Sequence, residues 1–247
     1  MTVAFISDLH LDAARPAATQ TFIRFLQGPA LQLGRLYILG DLFEYWIGDD
    51  DPNLHFREVT AALKTYTQQQ PRCYFLVGNR DFAIGPAFLR EAGLLRLEDP
   101  CIIDIHGEQL LISHGDIFCT DDVQYQRYRR FTHHPVALMI YHTLPFAARS
   151  RIVDKIRGQS RELKQSKSAD IMDVNQQAVE TAMREHGMQT LLHGHTHRPD
   201  EHDFGLDGKP ATRIVLGDWY KDGPVLYWDE NGRRTERLTF TEPPATD

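Results

Sequence analysis

Asp8, His10, Asp41, Asn79, His114, His195 and His197 are the residues of this chain whose types and spacing could do chemistry. Each lies at the end of a short apolar run, in AFISDLH, YILGDLFE, YFLVGNRD, LLISHGD and LLHGHTH. Nitrogen and oxygen donors without thiolate suit Mn, Fe or Zn better than Ca or Mg, and such ions activate water where coordination positions stay open. Two cations about 3.5–4 Å apart repel strongly, so a shared carboxylate is the natural way to hold them, and Asp41 is the candidate. Asp8, His10 and His197 would complete one metal, and Asn79, His114 and His195 the other. One DxH match carries little information, whereas five patches in series point to a two-metal hydrolase. His193 reads as support for the site; His55, His106, His186 and His202 read as surface residues, and His133, His134 and His142 receive no role.

The elements that must position these residues are legible as short apolar runs. Val3 to Ile6, Leu36 to Leu39 and Tyr74 to Val77 lack strict alternation, as expected of strands buried on both faces. Helical stretches at Thr19 to Leu26 and Leu54 to Gln69 complete βαβ units. Cys101 to Ile105 and Gln109 to Ser113 flank a Gly turn at His106-Gly107-Glu108, which predicts a hairpin. The spacing predicts a helix over Asp170 to His186, with Ile171, Val174, Ala178, Val179 and Ala182 on one face. Four more strands are expected at Thr190 to His193, Thr212 to Leu216, Val225 to Trp228 and Thr235 to Phe240. Turn signals at Asp207-Gly208, Asp222-Gly223 and Asn231-Gly232 separate them. The expected fold is a two-sheet α/β sandwich, a single domain over 1–247, with a frayed tail around Glu242-Pro243-Pro244-Ala245.

Composition bounds the function. A chain of 247 residues is long enough for one large domain. Cys73, Cys101 and Cys119 show no paired spacing, which implies a reducing, cytosolic protein. No signal segment and no membrane-length apolar run is visible, so the chain is expected to be soluble or peripheral. A formal net charge of −7 argues against a nucleic-acid binder.

Taken in order, DxH, GD, GNRD, SHGD and GHTH resemble the calcineurin-like metallophosphoesterase family over roughly Thr2 to Leu216. The resemblance implies two divalent metals and in-line attack of an activated water on phosphorus. Most members of that family read GNH, whose His can protonate a departing alkoxide; here the motif is Gly78-Asn79-Arg80-Asp81. Arginine stays protonated and is a poor general acid, yet its planar fork suits phosphate oxygens. An enzyme without that acid should cleave a bond whose leaving group departs as a stabilised anion, as in a phosphoanhydride. The competing reading of Arg80 is a structural ion pair with Asp81.

The stretch 121–167 is the second clue. It holds ten basic residues (Arg127, Arg129, Arg130, Arg149, Arg151, Lys155, Arg157, Arg161, Lys164, Lys167) and four acidic ones (Asp121, Asp122, Asp154, Glu162), a local +6 in a chain of −7. Apolar residues Val136 to Ile140, Leu144 and Phe146 to Ala148 are interleaved, and Pro135 and Pro145 should break the stretch into two or three short helices. A cationic, apolar helical cap beside a phosphate-cleaving site suits a diphosphate head carrying acyl chains, or an anionic lipid surface. Solvated helix faces are the blander explanation of such charge.

GNRD, the DDVQYQRYR run and RGQSRELKQSK are similar to the branch of that family acting on UDP-2,3-diacylglucosamine in lipid A synthesis. That resemblance implies Mn²⁺-dependent release of UMP and 2,3-diacylglucosamine 1-phosphate at the cytoplasmic face of the inner membrane. It implies substrate contacts at Asn79, Arg80, Asp122, Tyr125, Arg157, Ser160, Lys164, Lys167 and His195. The residues expected to act at the reacting phosphate are Asp41, Asn79, Arg80 and His195. On a helix, Arg157, Ser160, Lys164 and Lys167 share one face. No nucleic acid and no obligate protein partner is expected. The competing readings are a nuclease, a broad phosphomonoesterase or another nucleotide-diphosphate hydrolase of the same fold, and a metal-free scaffold.

Overall fold

The computed structural model describes residues 1–166 and 173–240, with side chains described for 1–158 and 173–240. The chain opens with β1 (Val3–Ile6), α1 (Pro16–Gln27), β2 (Arg35–Leu39), α2 (Leu54–Gln69) and β3 (Cys73–Leu76), followed by α3 (Pro86–Ala92) and β4 (Leu95–Arg96). Next come the hairpin β5 (Cys101–Ile105) and β6 (Glu108–Ser113), then three consecutive helices, α4 (Val123–Thr132), α5 (Pro135–Thr143) and α6 (Phe146–Ser166). The chain continues through α7 (Gln176–His186), β7 (Thr190–His193), β8 (Asp200–Leu206), β9 (Lys209–Val215), β10 (Gly223–Asp229) and β11 (Gly232–Leu238).

Two sheets result, a six-stranded one in the order β11-β10-β1-β2-β3-β4 and a five-stranded one in the order β5-β6-β7-β9-β8. Strands β1, β2 and β3 are parallel, as are β6, β7 and β9. Along β1, Val3 and Phe5 enter the layer between the sheets with Tyr37, Leu39, Ile112, Leu192, Ile214 and Trp228. Ala4 and Ile6 face the opposite layer, where Phe22, Leu26, Val59, Leu63 and Phe88 of α1, α2 and α3 pack. Both faces are therefore covered, which explains why the β1 to β3 runs show no alternation. On the far side of the second sheet, Val179 and Met183 of α7 cover Leu111, Leu191 and Ala211. The architecture is the expected two-sheet α/β sandwich.

Several boundaries differ from expectation for local reasons. Helix α7 starts at Gln176 because the Asn175 side chain accepts from the N–H groups of Gln177 and Ala178. Val174 thus precedes the helix, and Ile171 lies outside the described residues. The turn between β5 and β6 uses two residues, His106 (φ 55°) and Gly107 (φ 86°), while Glu108 already pairs with Ile105. Strand β8 was not expected: its edge position leaves Asp200, Glu201, Asp203 and Gly205 exposed, so no apolar run marks it. Helix α3, of seven residues, and the two-residue strand β4 are too short to announce themselves by periodicity. The proposed tail at Glu242-Pro243-Pro244-Ala245 lies outside the described residues.

Helices α4, α5 and α6 form the stretch expected as a cap; α5 begins with Pro135 and α6 follows Pro145, but α6 is 21 residues long rather than short. Arg149, buried on α6, ties the cap to the loop after β2. It donates from Nη1 to the Ile47 carbonyl (3.2 Å), from Nε to the Leu144 carbonyl (3.0 Å), and from Nη2 to Asp50 Oδ1 (2.7 Å). Tyr141 of α5 adds a hydroxyl bond to the same Ile47 carbonyl at 2.9 Å.

Candidate metal centre and substrate cavity

All seven candidate ligands lie on the loops that leave β1, β2, β3, β6 and β7 at one end of the two sheets. Backbone bonds lash these loops together: Asp8 N–H donates to the Gly40 carbonyl (3.1 Å), His10 N–H to the Asp41 carbonyl (2.9 Å) and Gly194 N–H to the His114 carbonyl (2.9 Å). Space is tight enough that two glycines are required. A Cβ on Gly78 would meet Asp41 Oδ1 at 2.2 Å, and one on Gly40 (φ 89°) would meet His114 Nδ1 at 2.6 Å. Five candidate ligands have left-handed backbone: Asp8 (φ 55°), His10 (48°), Asp41 (51°), His195 (68°) and His197 (58°). Each such residue costs about 1–2 kcal/mol, which the surrounding bonds must hold in place.

The side chains converge as two groups. Asp8, His10 and His197 can each offer one ligand atom within 4.8 Å of the others, and so can Asp41, His114 and His195. Asp41 also reaches across: its Oδ2 is 3.8 Å from His10 Nε2 and its Oδ1 is 3.6 Å from His114 Nε2. Asn79 joins the second group through Oδ1, 3.1 Å from His114 Nε2. In the first group His10 Nε2 and His197 Nε2 are 3.3 Å apart, and His197 Nε2 is 3.4 Å from Asp8 Oδ1.

The charges explain what such a cluster suits. Burial disfavours an ionised Asp8, but His197, His114 and His10 outweigh that and hold its carboxyl well below the usual range. Burial also opposes a charge on His114, yet Asp41, Asp8 and Asp116 push it up to about 9. Burial and the adjacent His114 push His195 down to about 3. Asp8 Oδ2 accepts from Ser7 Oγ (2.6 Å) and His195 N–H (2.8 Å), whereas the buried Oδ1 makes no hydrogen bond among the described residues. An ionised oxygen left unbonded beside two imidazole nitrogens is costly without a cation. The donors present therefore fit two divalent ions.

Outer partners aim three imidazoles inward, an arrangement common around metal-ligating histidines. His10 Nδ1 is 3.1 Å from Glu44 Oε2, His197 Nδ1 is 3.5 Å from Asp218 Oδ2, and His114 Nδ1 bonds the Leu39 carbonyl at 2.8 Å. Tyr220 stacks on His10 with centroids 5.2 Å apart. Sequence reasoning missed Glu44, Asp218 and Tyr220 as site residues. Glu44 closes the GDLFE patch and was within reach; Asp218 and Tyr220 belong to a loop after β9 with no motif of its own.

Arg80 does not pair with Asp81. The Asp81 carboxylate is buried, with Oδ1 accepting from Gly78 N–H (2.7 Å) and Oδ2 from Leu42 N–H (2.8 Å). The Arg80 guanidinium instead lies 3.7 Å from Glu44 Oε1, and its backbone N–H donates to Asp41 Oδ1 at 2.8 Å. Burial works against its charge, but Glu44 and Asp41 raise its pKa further.

A cavity of about 430 Å³ runs from His10, Asp41, Asn79, Arg80 and His195 to the cap residues Asp122, Tyr125, Tyr128, Val153, Ile156 and Arg157. Asp122 caps α4 by accepting from Tyr125 N–H at 3.0 Å, and Arg157 stacks over the Tyr45 ring at 4.1 Å. Tyr125 is turned inward: its hydroxyl donates to Asp116 Oδ2 at 2.5 Å. Ser160, Lys164 and Lys167, expected on the Arg157 face, have side chains outside the described residues. His193 is fully buried, bonded to the Gly194 carbonyl (2.9 Å), and burial pushes it down to about 4. His106 is exposed, whereas His55, His186 and His202 are half-buried.

The model of the family described as calcineurin-like phosphoesterase matches residues 1–199. A protein of Aeromonas salmonicida named UDP-2,3-diacylglucosamine hydrolase is 47% identical over 97% of this chain and 94% of its own length. One of the same name from Pseudomonas paraeruginosa is 49% identical over 95% of this chain and 98% of its own.

Proposed function

This chain belongs to the calcineurin-like phosphoesterase family and is a hydrolase; from that premise we propose that it cleaves the diphosphate of UDP-2,3-diacylglucosamine in lipid A synthesis. The products are UMP and 2,3-diacylglucosamine 1-phosphate. The observation that carries the reading is Arg80, held charged by Glu44 in the same cavity as both ligand groups. The names of the relatives support the substrate.

In this reading Asp8, His10, His197 and Asp41 would hold one metal, and Asp41, Asn79, His114 and His195 the other. Two bound Mn²⁺ ions would supply an activated water and positive charge for the phosphate oxygens. The chain's own residues do the rest. Asp41, accepting the Arg80 backbone N–H, holds the loop from which Arg80 extends, and Glu44 faces its guanidinium. Arg80 binds non-bridging phosphate oxygens through its fork and neutralises charge that grows as the P–O bond breaks. Because the bridging oxygen leaves with the bonding pair as a phosphate anion, no side chain need protonate it, which agrees with Arg at the position of the usual His.

The cap supplies the rest of the substrate's environment. Asp122 and Arg157 border the polar part of the cavity, while Tyr128, Val153 and Ile156 present apolar surface to acyl chains. Residues 121–167 act as an insertion into a single domain. Purified protein with Mn²⁺ is expected to release UMP from UDP-2,3-diacylglucosamine and to turn over p-nitrophenyl phosphate barely at all. Equal rates on both, measured by chromatography and absorbance, would overturn the anhydride reading.

No described helix is long and apolar enough to cross a membrane. The outer side of the cap nevertheless exposes Phe131 (70%), Met139 (62%), Ile140 (55%) and Val136 (52%). Arg127, Arg130, Arg151 and Lys155 on the same three helices are exposed as well. This combination suits peripheral contact with an anionic lipid surface, as on the cytoplasmic face of an inner membrane. The protein should co-sediment with phosphatidylglycerol vesicles at low salt, and F131S/M139S should weaken that binding on the order of tenfold. Equal sedimentation of the double variant would remove this face from consideration.

A further inference from the structure

The four histidines of the two ligand groups are not held alike. Those at positions 10, 197 and 114 each have a polar partner at Nδ1, in Glu44, Asp218 and the Leu39 carbonyl. Among the described residues no hydrogen bond or ion pair reaches the imidazole of His195. What its ring meets is aromatic: the Tyr125 ring lies against it at 5.9 Å and 29°, and His114 meets it edge-on at 5.0 Å. Tyr125 belongs to α4, so the orientation of His195 depends on the cap.

Tyr125 is itself fixed from behind. Its hydroxyl donates to Asp116 Oδ2 at 2.5 Å, and Arg129 Nε donates to that same oxygen at 2.7 Å. Arg129 Nη2 also lies 3.5 Å from Asp99 Oδ2, and Asp99 Oδ1 accepts the His114 backbone N–H at 3.3 Å. Gln126, one helical step from Tyr125, donates to the Asp116 carbonyl at 2.8 Å. One guanidinium of the cap thus bonds the carboxylate that fixes Tyr125 and lies at ion-pair distance from the carboxylate that accepts the His114 main-chain N–H.

We propose that Arg129, Asp116 and Asp99 are positioning residues, through which docking of α4 orients His195 and completes the second metal group. The inference rests on the reading of His195 as a ligand given above. It assigns to Asp116, Asp99 and Arg129 the service that Glu44, Asp218 and the Leu39 carbonyl give the other three histidines. The connection differs in running through an aromatic ring, and so through an element that also lines the cavity.

The test is a titration of the purified full chain with Mn²⁺ alone, followed by the electron paramagnetic resonance of the free ion. In Arg129→Met one of two sites should weaken on the order of ten- to a hundredfold while the other is unchanged. Arg129→Lys should recover part of that loss. With saturating Mn²⁺, kcat on UDP-2,3-diacylglucosamine should recover and KM should stay within about twofold. Removing Arg129 leaves two buried carboxylates without their counter-charge, so the variant is first checked for folding by circular dichroism. Should it not fold, Tyr125→Phe decides: it keeps the ring and loses only the bond to Asp116, and is expected to weaken one site at least about threefold. Unchanged affinity at both sites, or a rise in KM alone, would sink the proposal by reducing Arg129 to a cap anchor. A wild-type protein that binds two Mn²⁺ and responds as expected, yet leaves the lipid substrate intact, would remove the substrate and keep the positioning network. Fewer than two Mn²⁺ in the wild type would remove both the ligand reading and this inference.

Discussion

Replacing Asp41 with alanine is expected to lower turnover by at least about 10³-fold and to reduce bound Mn²⁺ from two per chain to one or none. The expectation comes from where its two oxygens point. Oδ1 lies 3.6 Å from His114 Nε2 and Oδ2 lies 3.8 Å from His10 Nε2, so a single carboxylate addresses both ligand groups. No other candidate does so at comparable distance, and removing it takes away the shared negative charge that lets two cations approach. The same oxygen accepts the Arg80 N–H, so the loop carrying Arg80 and Asn79 is also released. Backbone strain is a confounding cause, since Asp41 is left-handed (φ 51°). Asp41→Asn separates the two, because Asn tolerates that conformation and can still accept from Arg80. It should keep the fold, lose most activity and bind metal weakly. Two metals per chain by plasma emission, together with a full rate in the alanine variant, would show that the bridge lies elsewhere.

The second large effect is expected at Arg80. Arg80→Ala should cost about 10²-fold or more in kcat, through lost positioning and charge at the reacting phosphate. The alternative of a purely structural ion pair has changed partner, from Asp81 to Glu44. That makes it separable: if pairing were the whole role, Glu44→Gln, assayed at saturating Mn²⁺ because Glu44 also faces His10, would reproduce the loss in kcat. Arg80→Lys keeps the charge and loses the fork, so it should fall between the two. Arg80→His installs an acid at the same place and should raise relative activity on alkyl monoesters, even as UMP release falls. An Arg80→Ala enzyme with an unchanged rate would end the phosphate-clamp reading.

The ligand loops were legible because each follows a strand buried on both faces, where an abrupt polar residue stands out. Fold class followed from the same runs, since βαβ units and a late group of strands leave few arrangements. What stayed hidden has physical causes. Asp218 and Tyr220 meet His197 and His10 from the loop that joins β9 of one sheet to β10 of the other, a contact that no local pattern encodes. The true start of α7 depends on a side-chain cap at Asn175, which competes with an apolar spacing that continues backwards to Val174. Arg80 was recognisable as unusual, but its partner was not: Asp81 is adjacent in sequence, whereas its carboxylate is taken up by main-chain N–H groups. Tyr125 illustrates the converse, a residue assigned from resemblance to the substrate whose hydroxyl is engaged behind the site.

The placement of β1 bears on how the protein is made. This first strand lies in the interior of its sheet, with β2 on one side and, on the other, β10, whose Trp228 pairs with Val3. A nascent chain that has grown as far as His197 already contains every candidate ligand, yet the outer edge of its most apolar strand has no neighbour. Asp218, beside His197, and Trp219, whose N–H donates to the Asp8 carbonyl, are also still unmade at that point. Synthesis therefore passes through a stage in which an unpaired template for strand addition and an unfinished ligand loop coexist. Both are completed by the same late segment, so closure of the sheet and completion of the centre depend on the same residues.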